Sequence, residues 1–161
     1  MGADLYINGF DKYRAKSEPL FNVAVEERNK LQRGTPEYQE AQRKVEEAYD
    51  TVYSSEWYFR DSYNDTSVFW KLGLSWWKDL EPFYLPEEEQ NDNVNIGPEG
   101  CRKLVELIEK QTLDLPTDME VKDAGWEEDP EQVRAYFVDK HKRLIRFLKT
   151  AANEGGMFAS V

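Results

Sequence analysis

The tripeptide Gly34–Thr35–Pro36 restricts the fold of this chain more than any other feature, because it separates two helix-forming segments by a very short break. Gly34 is a typical residue just beyond a helix C-terminus. Thr35 is a favourable N-cap and Pro36 is tolerated at the first helical position, so a second helix can begin at once. A connection this short predicts an antiparallel helical hairpin.

The two segments of this hairpin carry their own start and packing signals. Ser17 is expected to cap the first helix, with Pro19 in its first turn, and the helix is expected to run to about Arg33. In the second segment, apolar residues follow one another in alternating steps of three and four, which indicates one buried helix face. These residues are Tyr38, Ala41, Val45, Ala48 and Val52.

Both ends of the chain read as short strands. Residues 3–7 alternate in polarity before the break at Asn8–Gly9, and the last residues, "GGMFASV", follow two glycines. Strands at the two ends predict that the termini pair with each other. Because a two-stranded ribbon is marginal alone, it should lie against helices.

Three further helices are predicted between these strands. The third runs from about Thr66 to Leu80, capped by Asp65 or Thr66; the fourth opens at Pro98, and the fifth begins at Asp129–Pro130. The fourth is expected to bury Cys101, Leu104, Val105 and Ile108, and the fifth Val133, Phe137, Leu144 and Leu148. The pattern therefore predicts a mainly α fold of about five helices with short terminal strands, as a single globular domain over residues 1–161.

Charge restricts the classes of partner. The 161 residues include 32 acidic and 21 basic ones, for a net charge of -11. This excess of acid argues against binding to a nucleic-acid backbone or to an anionic membrane. It fits either plain solubility or a basic protein partner found by electrostatic steering. Imitation of DNA is a weaker hypothesis, because the densest acidic runs lie in loops interrupted by proline and glycine.

The sequence predicts no cofactor, metal site or catalytic set. The one cysteine, Cys101, lies on an apolar helix face, and the one histidine, His141, has lysines on both sides. One Cys and one His exclude the usual zinc sets and an intramolecular disulfide. The chain shows no secretory signal and no apolar run of membrane-spanning length, so a soluble cytoplasmic protein is expected. Because no catalytic set is recognised, a protein without enzymatic activity is expected as well.

The stretch "YFRDSYND" is read as the connection before the third helix, and it is the strongest candidate for a ligand site. Arg60 offers a fork for a carboxylate or phosphate, and nearby aromatic side chains could form the walls of a pocket around it. A structural explanation is also open, in which Asp61 pairs with Arg60 or caps a turn. The candidate ligand-binding residues are Tyr58, Arg60, Asp61, Tyr63, Asn64 and Trp70.

The following stretch, "TSVFWKLGLSWW", is expected to be a core-facing helix. Its apolar residues recur at helical spacing, and Gly73 is interpreted as a place where another helix approaches closely. Trp70 and Trp77 are seven residues apart, which predicts a partly exposed aromatic flank.

Three segments, "MGADLYI", "YFRDSYND" and "GLSWW", carry a resemblance to other proteins. In these segments the chain resembles a group of small acidic bacterial and phage proteins of no known function. The resemblance covers about the first half of the chain and implies a prokaryotic or phage origin, but no activity.

Small size, acidity and the lack of a catalytic set favour a regulatory or inhibitory protein that binds a basic partner, such as an immunity protein or a phage-encoded modulator. Acidic loops would steer the partner, and exposed tryptophans would anchor it. The candidate partner-binding residues are Glu87, Glu88, Glu89, Trp77 and Trp126. The alternative is a small-molecule binder or an enzyme that uses Arg60, Asp61, Tyr63 and Asn64.

Overall fold

The computed structural model describes residues 2–54, 56–89 and 94–160. Contacts divide the chain into two compact units, of which one is residues 9–54 and the other combines residues 1–8 with 55–161. The first unit is a helical hairpin, and the second holds a sheet and the remaining helices. That the whole chain folds as one domain stays a prediction.

The hairpin consists of α1 (Phe10–Asn29) and α2 (Pro36–Val52). Its helices are antiparallel, because Arg28 bonds Gln42 near the connection while Phe21 packs against Tyr49 farther away. Thr35 caps α2 by accepting a hydrogen bond from the Tyr38 N–H at 3.2 Å. These findings confirm the predicted hairpin and its capping residue.

The predicted start of α1 at Ser17 is wrong, because the helix begins seven residues earlier at Phe10. Gly9, with a φ of 95°, precedes the helix, and its carbonyl accepts from the Lys12 N–H at 3.0 Å. The buried Phe10 ring anchors this first turn. Pro19 therefore lies inside the helix, at an exposed position where it cannot donate a backbone hydrogen bond to the preceding turn.

The second unit contains an antiparallel sheet of β1 (Gly2–Ile7), β2 (Tyr58–Ser62), β3 (Val94–Ile96) and β4 (Met157–Ser160), in the order β2-β1-β4-β3. The terminal strands β1 and β4 pair with each other, which confirms that prediction. The fold is not purely α, however, but a helix-rich α/β arrangement with four strands among the described residues. Sequence reasoning missed β2 and β3 because they are short and lie in segments interpreted as connections.

The described helices of this unit are α3 (Val68–Lys71), α4 (Pro98–Glu109), α5 (Asp118–Asp123) and α6 (Pro130–Glu154). The predicted starts of α4 and α6 are confirmed. Their predicted apolar stripes are buried as well: Cys101, Leu104, Val105 and Ile108 on α4, and Val133, Phe137, Leu144 and Leu148 on α6. Helix α5 was not predicted, although Thr117 and Glu120 form a capping box at its start.

The predicted helix from Thr66 to Leu80 is wrong, because α3 has only four residues. Its N-cap is Ser67 rather than Asp65 or Thr66, and Gly73 follows with a φ of 73°. A Cβ at Gly73 would meet nothing within 4 Å, so the predicted close approach of another helix at this glycine is wrong. Its positive φ instead ends the short helix α3. Trp76 is nevertheless buried, stacked on Phe69 with ring centroids 3.9 Å apart.

The core of this unit lies on one face of the sheet. Alternate strand residues such as Leu5, Phe59 and Met157 point into it, and α4 and α6 contribute Leu104 and Leu144. A smaller cluster joins α5 to the start of α6. No helix in the described parts of the chain is long and apolar enough to cross a membrane.

The glycine pair before β4 supplies a test of this architecture. Gly155 and Gly156 both have positive φ, so an alanine at either position costs about 1–2 kcal/mol of backbone strain. A Cβ at Gly155 meets open space, whereas one at Gly156 would overlap the Ile96 carbonyl oxygen. We expect Gly156→Ala to lower the free energy of unfolding by about 1–3 kcal/mol more than Gly155→Ala in urea denaturation. Equal losses for the two variants would contradict the close approach of the backbone of β3 to this turn.

Candidate functional site

Arg60 and Asp61, the charged pair singled out in the sequence, lie on opposite faces of the sheet. Both belong to β2, where successive side chains alternate between the faces. The Arg60 side chain is 60% exposed, and Asp61 is 1% exposed. The two residues therefore have different surroundings and make different contacts.

The Asp61 carboxylate is a buried acceptor with four donors from the segment that follows it in the chain. One oxygen, Oδ2, accepts from the Ser67 hydroxyl at 2.8 Å, the Phe69 N–H at 3.1 Å and the Trp76 indole at 2.9 Å. The other, Oδ1, accepts from the Val68 N–H at 3.0 Å. Asp61 thus holds the first turn of α3, where the helix leaves N–H groups without internal partners.

The fifth donor to this carboxylate is Lys140, from the middle of α6. Its ammonium lies 2.7 Å from Asp61 Oδ1 and also donates to the Thr66 carbonyl at 3.1 Å. Lys140 is only 5% exposed, so both charges are removed from water. The carboxylate joins β2, α3 and α6. The expected pairing of Asp61 with Arg60 is wrong, because Asp61 pairs with Lys140 instead, but its expected capping role is found at the start of α3. These contacts account for Asp61 without a ligand.

Arg60 lies on the opposite face, beside Asp4 of the neighbouring strand β1. Its guanidinium is 3.6 Å from the Asp4 carboxylate, which also accepts a 2.6 Å hydrogen bond from the Tyr58 hydroxyl. Burial, followed by this hydrogen bond, raises the pKa of Tyr58 well above its usual value. Tyr6 packs against Tyr58 with ring centroids 5.1 Å apart.

The other predicted ligand-binding residues lie in the turn after β2 and in α3. Asn64 Oδ1 accepts from the Thr66 N–H at 2.9 Å, which is ordinary turn chemistry. The ring of Tyr63 lies 4.6 Å from that of Trp77, and Trp70 is exposed. The six candidate residues are thus divided between two faces of a sheet and a turn, and they do not surround one pocket.

The one cysteine and the one histidine differ in how far the fold buries them. Cys101 is fully buried on α4, and burial raises the pKa of its thiol to about 12. His141 is partly buried on α6, where burial lowers its pKa, and its Nε2 has no hydrogen-bond partner among the described residues. In the described part of the chain, no group of three or more His, Cys, Asp or Glu side chains is arranged to hold a metal ion.

A cleft of about 210 Å³ beside Trp126 brings charged and aromatic side chains together. We call it the Trp126 cleft. Its apolar wall includes Trp126 and Phe137, whose ring centroids are 6.3 Å apart. Its charged lining consists of Asp65, Lys71, Asp114 and Glu120. Of the residues named from sequence as partner-binding, Trp126 is the one that lines this cleft.

Among the described residues that line the Trp126 cleft, Lys71 is the one cation, alongside three acidic residues. Its ammonium lies 5.5 Å from the centroid of the Phe137 ring, a distance suited to a cation–π contact. Its carbonyl accepts from the Asp114 N–H at 2.7 Å, which fixes the Asp114 loop against α3. With one lysine and three acids, the lining has a formal charge of -2.

Negative charge is concentrated in the unit that contains this cleft. Residues 9–54 contain nine acidic and eight basic residues, so the remainder of the chain has a net charge of -10. Residues 114–131, which supply much of the cleft lining, include eight acids and one base, Lys122. The region around the cleft is therefore strongly acidic.

The remaining partner-binding candidates lie on exposed positions of the same unit. Glu87, Glu88 and Glu89 form an exposed 3₁₀ turn, and Trp77 is 51% exposed. The helical heptad that was expected to place Trp77 beside Trp70 does not exist, since α3 ends at Lys71.

Comparison with known proteins gave no match: no family model, curated protein or solved structure matches this chain.

The different surroundings of Arg60 and Asp61 give a direct test. Asp61→Ala leaves Lys140 buried without its partner, and we expect the free energy of unfolding to fall by about 3–5 kcal/mol. Arg60→Ala removes an exposed ion pair, and we expect a loss below about 1 kcal/mol. Urea denaturation measures both changes. A small loss for Asp61→Ala would contradict its role as the link between β2, α3 and α6.

The reactivity of Cys101 gives a second test. Because the thiol is enclosed and its pKa is raised to about 12, little thiolate exists near pH 8 and none is accessible. We expect an aromatic disulfide reagent to label the folded protein more than about a thousandfold more slowly than the urea-unfolded protein. Rapid stoichiometric labelling of the folded chain would contradict this placement of the thiol.

Proposed function

We propose that this chain is a regulatory or inhibitory binding protein, without enzymatic activity, that recognises a basic partner protein in the cytoplasm. The single observation that carries the proposal is the Trp126 cleft, in which aromatic walls and three carboxylates line a space of side-chain size. Binding hot spots commonly consist of an anchor side chain in such a pocket. The anchor proposed here is an arginine or lysine of the partner.

The chemistry of the lining selects a cationic anchor. Asp65 and Asp114 offer carboxylate oxygens to a guanidinium or ammonium group, and the ring of Trp126 offers an electron-rich face to the same cation. Residues 114–131, which contribute to the lining of the Trp126 cleft, are rich in acids that would raise the rate of encounter with a positively charged surface.

The positive charge of Lys71 allows the proposal to predict the direction in which a substitution changes the affinity for a cationic anchor. Its ammonium belongs to the cleft lining, so it repels an entering cation and attracts an entering anion. A basic anchor should therefore bind more tightly when this charge is removed, whereas an anionic ligand should bind less tightly.

We expect Asp65→Asn combined with Asp114→Asn to weaken binding to the partner by on the order of tenfold, as the loss of two partly exposed charge contacts implies. Lys71→Met should strengthen it. The measurement is quantitative affinity capture from the cells that encode the chain, at low and moderate salt, followed by titration of the purified partner. Retention should fall with salt.

A matched control removes the same amount of charge elsewhere. Glu26→Gln with Asp50→Asn, both exposed on the hairpin, changes the net charge equally and should leave affinity nearly unchanged. Repeated capture of no basic protein would refute the proposal, as would equal losses in the cleft and control variants. Weaker binding by Lys71→Met would indicate an anionic ligand instead.

The small-molecule alternative around Arg60, Asp61, Tyr63 and Asn64 stays a prediction. Arg60→Ala tests it, since that variant should keep its fold and lose any ligand that depends on the guanidinium.

A further inference from the structure

The helical hairpin leaves one half of its length without a buried side chain. All of residues 9–54 are described, and the buried positions are Phe10 and Ser17 on α1 with Val45 and Val52 on α2. These residues lie toward the open end of the hairpin. In residues 18–44, the half next to the connection, no residue is buried. Helices gain most of their stability by packing an apolar face, so this half lacks its packing partner.

An apolar groove runs along this half of the hairpin. It encloses about 890 Å³ between α1 and α2 and is lined by Leu20, Val23 and Leu31 together with Ala41. Leu20 is 66% exposed and Val23 is 57% exposed. Contiguous exposure of large aliphatic side chains on a rigid element is typical of an interaction surface.

The charges at the rim of this groove favour a second copy of the chain over the basic partner proposed above. The rim carries acids and lysines together, and the Glu27 carboxylate already accepts from the Lys30 ammonium at 2.9 Å. On α2, Glu40 pairs with Arg43 at 2.6 Å. Two of the three rim acids, Glu27 and Glu40, are thus paired within the hairpin, and with Lys30 and Lys44 at the same rim the lining has a formal charge of only -1 to attract a cationic surface.

Symmetry leads to the same conclusion. In a two-fold dimer each patch meets its own copy, so the charges around an apolar centre can be matched only if the same surface carries both signs. The hairpin meets this condition, since its nine acids and eight bases give a net charge of -1 within a chain of net charge -11. Two copies can approach through this surface with little of the repulsion that their overall charges produce.

We propose that two copies of this chain associate through the grooves of their hairpins and form an intermolecular four-helix bundle. Leu20, Val23 and Leu31 would enter its core, the arrangement by which two-helix units commonly bury their apolar faces. This inference does not depend on the proposed binding of a basic protein, because the two surfaces share no residues.

The test is the mass of the full chain in solution, measured by sedimentation equilibrium over micromolar to submillimolar concentrations. We expect a reversible rise to about twice the 19.0 kDa monomer mass. Because the contact is mainly apolar, moderate salt should change it little, unlike capture of the basic partner. A monomer at every concentration would overturn the proposal.

Substitutions identify the surface. Leu20→Ser with Val23→Ser should weaken association at least tenfold, while circular dichroism confirms that the helices remain. Met119→Ser is the matched control, because this side chain is exposed on α5 outside the hairpin and should leave the mass unchanged. Undiminished dimer in the double variant, or an equal loss in the control, would refute the assignment to the groove.

A charge exchange tests whether the contact is symmetric. Lys30→Glu with Lys44→Glu makes the rim wholly acidic, and Glu27→Lys with Glu40→Lys makes it mostly basic, so each variant alone should associate more weakly. An equimolar mixture should form a mixed dimer at least as tight as the unmodified one. Failure of the mixture to associate would contradict a face-to-face pairing of the rims.

Discussion

The buried carboxylate of Asp61 is the interaction on which the rest of the larger unit depends. Helix α3 is a single turn and could not persist alone, because a helix this short does not recover the cost of its nucleation. Asp61 compensates by accepting two of its free N–H groups, and it also accepts from the Trp76 indole and the Lys140 ammonium. Desolvation of both charges is costly, so the site is stable only while every donor is present.

The hairpin and the terminal strands were predictable because their signals are local. Thr35 and Pro36 start α2 through their own backbone preferences, and alternation alone marks β1. The role of Asp61 was not predictable in the same way, because its partner Lys140 is distant in the sequence and reads as a surface residue of α6. The one available signal was the alternation in "YFRDS", which places Phe59 and Asp61 on a different face from Arg60.

Only part of the Trp126 cleft could be recognised in the sequence, because its lining comes from segments that are distant along the chain. Trp126 and the surrounding acids are visible as an aromatic residue in an acidic loop, and this is why they were associated with a partner. Lys71 and Asp65 come from the segment around α3, and no spacing relates them to residues 114–126. Asp61 fixes the start of α3, and the hydrogen bond from the Asp114 N–H to the Lys71 carbonyl holds the end of α3 against the loop that lines the cleft. The Trp126 cleft therefore depends on the hydrogen bonds of Asp61, although Asp61 and its donors do not line the cleft.

Segregation of charge connects the two proposals. The unit with the cleft has nearly all of the net negative charge, which suits recognition of a basic surface but opposes contact between copies. A nearly neutral hairpin is the part of the chain where copies can meet at low electrostatic cost. If they meet there, each assembly presents two clefts, and a partner with two basic anchors at a matching separation would gain from the raised effective concentration of the second. Self-association would then increase the avidity for such a partner without any change in the cleft itself.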